Sequence, residues 1–71
     1  MSARNKRIKW VNKFSKEEGF VKSISRTKGY FENTFNYDEA KHFSDVEANK
    51  ALKILVDIGE ADNNDFVIVS A

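Results

Sequence analysis

One segment of this 71-residue chain carries both a start and a stop signal for a helix. Ser44-Asp45-Val46-Glu47 is a capping box: the serine hydroxyl accepts from the third helical amide while the glutamate reaches back to the serine amide. Asp45 and Glu47 also suit the positive end of a helix dipole. Gly59 supplies a left-handed stop. Between these signals Ala48, Ala51, Leu52, Leu55 and Ile58 fall on one face, and Asn49, Lys50, Lys53 and Asp57 on the other. If the helix ran back to Asp38, Phe43 would lie about 140° from that apolar stripe at about 100° per residue, so the helix begins after Phe43. A helix with one apolar face needs another layer to hide it against.

The flanking segments supply that layer. Ile8, Trp10, Asn12 and Phe14 alternate with Lys9, Val11 and Lys13, a period suited to a half-buried strand, with Asn12 the weak point of the stripe. Ser15 to Gly19 is a polar turn, and Phe20 to Arg26 carries Val21 and Ile24 in a β-favouring mix, so the two runs form a hairpin. Arg26 to Gly29 is a second turn, after which Tyr30, Phe31, Thr34 and Phe35 supply a short third strand. Beyond the helix, Glu60 to Asn64 is an acidic loop. Phe66-Val67-Ile68-Val69 then forms a last strand, expected to be central in the sheet because it holds no charge. The expected fold is α+β: a small antiparallel sheet in the order β-β-(β)-α-β, with one amphipathic helix packed on one face and the other face partly open.

Residues 1–7 are polar and basic with no large apolar group beyond Met1, and are expected to form a flexible arm ahead of a single domain over residues 8–71. At this length only about 60% of the unfolded surface is buried on folding. There is no cysteine, so neither disulfides nor thiolate metal sites reinforce the core. Stability must come from packing, with self-association into a homo-oligomer as a further source. No apolar run approaches the roughly 18 residues of a membrane span, and the basic start leads into no signal-peptide core. The expectation is a cytoplasmic protein without membrane contact.

Charge is sorted along the chain. Residues 1–29 hold nine basic side chains against Glu17 and Glu18, a net +7, whereas residues 30–71 hold three against nine acidic ones, a net −6. Catalytic chemistry is sparse beside this. There is a single histidine, His42, no nucleophile elbow, and three glycines too far apart to cradle a phosphate. Asp62 to Asp65 resembles a calcium loop only in composition, because it lacks the glycine and the distal glutamate of one. The chain is therefore read as a non-enzyme, with no cofactor, catalytic residue or metal.

Two binding readings remain. In one, Arg4, Lys6, Arg7 and Lys9 of the arm, with Lys13, Lys22, Arg26 and Lys28 of the hairpin, neutralise phosphates while Trp10, Phe20 and Tyr30 stack on bases. In the other, Trp10, Phe31 or Tyr37 centres a protein-binding surface rimmed by these same cations, and the acidic stretch Glu60 to Asp65 meets a basic site on a partner. Ordinary solvated charge and packed aromatics would leave the same pattern. Spacing alone does not separate these readings.

The segment Asp38-Glu39-Ala40-Lys41-His42-Phe43-Ser44, followed by Ala48 and Leu52, resembles a pattern in small bacteriophage and prophage accessory proteins. In these a hairpin precedes an "E-A-K-x-F-[ST]" signature, a capped helix and a closing β-branched strand. The resemblance covers roughly residues 8 to 70 and excludes the basic arm. It implies a non-enzymatic modulator, commonly an inhibitor, of a host macromolecular machine, working in the host cytoplasm, and it carries over no functional residues. The reading reached is stoichiometric binding of a host protein, with nucleic-acid binding as the alternative.

Overall fold

The computed structural model describes residues 4–70, so residues 1–3 of the expected arm and residue 71 lie outside the described residues. Strands β1 (Lys6–Asn12), β2 (Glu18–Ser25) and β3 (Tyr30–Thr34) precede helix α1 (Asp45–Asp57) and strand β4 (Asn64–Ser70). Short 3-10 turns lie at Tyr37–Glu39 and Glu60–Asp62. The four strands form one antiparallel sheet in the order β3-β2-β1-β4. The small α+β architecture with a single helix is as the sequence implied.

The capping box forms in full. Ser44 Oγ accepts from the Glu47 amide at 3.2 Å, and Glu47 Oε1 accepts from the Ser44 amide at 2.9 Å. At the other end Gly59 takes φ 85°, and the helix stops. Ala48, Ala51 and Leu55 face the sheet and join Ile8, Trp10, Val21 and Phe43 in the core, with Leu52, Ile58, Ile24, Phe31, Phe66 and Ile68 packed around them.

Gly19 makes room for the largest of these side chains. It lies directly across from Trp10, and a Cβ placed on it would come within 2.8 Å of both the indole ring and the Thr34 carbonyl oxygen. The Trp10 Nε1–H donates to the Phe20 carbonyl at 3.1 Å, so its one polar group is satisfied inside the core.

Three expectations are corrected. The last strand, whose run from Phe66 to Val69 holds no charge, is an edge strand, and β1 takes the central place beside it. The reason is that β1 finds partners for its own charges: Lys9 pairs with Glu18 at 3.0 Å, and Arg7 lies over the Tyr37 ring at 4.0 Å. Next, the ordered strand begins at Lys6, inside the expected arm, and Arg7 is only 7% exposed. Lys6 and Phe43 exchange backbone hydrogen bonds of 2.9 and 2.7 Å, which fixes the start of β1 to the segment entering the helix. Finally, Phe14 leaves the apolar stripe and stands exposed in the β1–β2 turn. Asn12 explains this departure, because its side-chain oxygen accepts from the Phe14 and Ser15 amides and turns the chain.

The face of the sheet away from α1 is partly covered. The Tyr37–Glu39 turn folds back over it, setting Tyr37 edge-on to Phe20 with ring centroids 5.2 Å apart. No helix among the described residues is long and apolar enough to cross a membrane.

Candidate functional site

Folding cancels most of the charge sorting. Of the cations singled out from the sequence, Arg4 pairs with Glu47, Lys6 with Asp45, Lys9 with Glu18, Lys13 with Asp65 and Lys22 with Glu39, at 3.0 to 3.8 Å. Four of those five carboxylates come from the acidic half. The partners of the basic half are thus supplied by the chain itself.

Arg7 takes a different environment. Its guanidinium stacks on Tyr37, donates to the Tyr37 hydroxyl at 2.9 Å and lies 2.8 Å from His42 Nε2, while its Nε is buried without a hydrogen-bond partner. Arginine has no acceptor, so His42 must receive that bond on an unprotonated Nε2. Trp10, at 5% exposure, is a core residue and offers no ring for stacking. Arg26, Lys28 and Tyr30 remain at the β2–β3 turn, all exposed, with Tyr30 at 42%.

Arg26 belongs to a feature that sequence reasoning missed. Between the end of β2 and the outer flank of α1 runs an open groove of about 330 Å³, floored by Ile24, Phe43, Ala51 and Ile54 and rimmed by Arg26, Lys41 and Lys50. A smaller extension of about 270 Å³ continues along the helix past Lys53 and Asp57. Among the described residues, none of Arg26, Lys41, Lys50 and Lys53 lies within ion-pair distance of a carboxylate. Glu47 also reaches the groove, but its carboxylate is occupied by Ser44 and Arg4. The bond from the Ser44 amide holds Glu47 below the ordinary glutamate value of 4.5, with partial desolvation opposing this and Arg4 adding to it.

An apolar floor under unpaired cations suits a ligand that is greasy on one side and acidic along its edge. Three of the four cations come from the acidic half of the chain, which is why charge counting along the sequence passed over them. One local signal was present. Ile54 is a large aliphatic residue off the inner stripe of the helix, flanked on its outer surface by Lys50, Lys53 and Asp57.

Among the described residues, no group of three or more His, Cys, Asp or Glu side chains is arranged to hold a metal. No family model matches the chain, and no curated protein or solved structure matches it significantly.

Proposed function

We propose that this protein acts by stoichiometric binding, taking an acidic segment of a partner protein with one apolar face into the groove between β2 and α1. The observation that carries this reading is the combination of Ile24 and Ile54 on the floor with Arg26, Lys41, Lys50 and Lys53 unpaired at the rim and its extension. Apolar burial supplies the affinity, and the cations steer and orient the acidic edge. The further step, that the partner belongs to a host machine and is inhibited, rests on the resemblance to phage accessory proteins.

The test is titration of 15N-labelled protein with a short amphipathic helical peptide bearing Leu on one face and Glu on the other. Saturable shifts confined to Ile24, Ala51 and Ile54 and their neighbours are expected, and polyglutamate, which has no apolar face, should not reproduce them. Absence of saturable shifts with the peptide, or equal binding of both, would defeat the reading.

Nucleic-acid binding is the second reading, favoured by one observation: Arg26 and Lys28 carry no ion pair among the described residues and lie near the exposed Tyr30. It requires duplex or single-stranded DNA to bind through the β2–β3 turn, with affinity falling by roughly 0.9 log units per phosphate contact per log unit of salt on a duplex. A mobility-shift titration at low salt that retards no nucleic acid removes it.

A further inference from the structure

The outer edge of β4 carries an inference independent of the groove. Among the described residues β4 pairs only with β1, in an unbroken register from Lys6↔Ser70 to Asn12↔Asn64. The Lys13 amide donates to the Asn63 carbonyl at 2.8 Å, which sets the phase of the ladder. In an antiparallel pair, alternate residues direct their backbone groups to the same neighbour, so Asp65, Val67 and Val69 bond to β1. The N–H and C=O groups of Phe66, Ile68 and Ser70 therefore point outward, as do those of Asn64 at the start of the strand, a residue only 8% exposed whose side chain donates to the Glu60 carbonyl.

Strand edges of this kind are normally blunted by a proline, a bulge, a lysine or a covering loop. β4 has no proline, no register shift and no lysine, and its single charge, Asp65, is occupied by Lys13. The opposite edge of the sheet is different. β3 has only five residues, carries Glu32, and pairs with β2 across a register shift between Val21 and Ser23. The fold protects one edge and leaves the other with Val67 standing 51% exposed beside it.

We infer that the β4 edge is a homodimer interface, in which two copies of this chain pair β4 against β4 antiparallel into one continuous eight-stranded sheet. A second copy is the occupant because the edge is complementary to itself. A two-fold axis at Val67 sets Phe66 opposite Ile68 of the other copy, Asn64 opposite Ser70, and Asp65 opposite Val69, so no like charges face each other. The two Val67 side chains meet at the closely spaced, non-hydrogen-bonded position on the axis. This arrangement is isologous and consumes both β4 edges, so assembly stops at two.

Sedimentation velocity over a concentration series, combined with amide hydrogen exchange, tests this on the intact protein. The expected result is a monomer–dimer equilibrium in which the Phe66 and Ile68 amides gain protection as concentration rises, while the Val67 and Val69 amides, already bonded to β1, are protected throughout. Val67→Lys should weaken the dimer at least roughly tenfold by placing two ammonium groups on the axis, whereas Val67→Thr should leave it near wild type. A monomer at the highest concentration, with Phe66 and Ile68 exchange rates unchanged, overturns the inference. Growth beyond the dimer overturns it too, because an isologous β4–β4 contact closes at two copies and cannot itself propagate. The exchange readout needs no variant, so the outcome stands even if Val67→Lys fails to fold.

Discussion

Gly19 and Arg7 show how little slack the core has. With Trp10 and the Thr34 carbonyl both 2.8 Å from where a Cβ would sit, Gly19→Ala forces either the indole or β3 to move. Overpacking of this kind costs about 1–3 kcal/mol, and chemical denaturation should report a loss in that range. Arg7 is subtler, because a cation near the N-terminus reads as solvated arm while the folded chain buries it against Tyr37 and His42. Arg7→Ala removes a buried side chain stacked on Tyr37 together with its hydrogen bonds to Tyr37 and His42, so a loss of about 2 kcal/mol is expected. Arg4→Ala breaks only an exposed ion pair and should stay within about 0.5 kcal/mol of wild type. Equal thermal shifts for the two variants would show that Arg7 is not held as described. A 15N spectrum of the imidazole gives an independent check: His42 should carry its proton on Nδ1, leaving Nε2 to accept.

The helix was the most legible element, because its signals are local. Ser44, Glu47 and Gly59 each act within a few residues of themselves, and all three take the roles their side chains imply. The strands were legible as strands, but their order was not, since an uncharged run such as Phe66 to Val69 serves a sheet centre or a sheet edge equally well. What decided it was whether the charges of β1 could find partners, and those partners, Asp45, Glu18 and Tyr37, are distributed over the rest of the chain. The cap also makes a statement about pH. Glu47 is lowered when folded, so it contributes stability fully above its unfolded value near 4.5, and that contribution disappears as pH falls through the lower folded value. Glu47→Gln keeps an acceptor for the Ser44 amide and loses the charge. Melting temperatures of the variant should therefore fall less steeply than wild type on acidification below about pH 4.5, and parallel curves would mean that Glu47 is not the titrating contributor.

Charge sorting along a polypeptide is not charge separation in space. Here the basic first half and acidic second half neutralise each other through β1, β2 and their neighbours, so the surface most visible in the sequence is the one the fold spends on itself. Of the cations left without an ion pair among the described residues, Arg26 from the basic half and Lys41, Lys50 and Lys53 from the acidic half meet only because the β2–β3 turn comes up beside α1. No pattern along the chain encodes that meeting, which is why one residue of the expected site, Arg26, reappears in the groove and the others do not. This separates two sets of lysines experimentally. Lys50→Glu with Lys53→Glu replaces attraction by repulsion at the groove, and at about 0.5–1 kcal/mol per exposed charge should weaken the acidic amphipathic peptide by roughly five- to thirtyfold. Both side chains are exposed and unpaired, so the melting temperature should barely move. Lys9→Gln with Lys13→Gln removes the same number of cations from the paired set and should leave peptide affinity within about twofold of wild type. If the two double variants lose affinity equally, net charge rather than the groove governs binding, and the site has been placed wrongly.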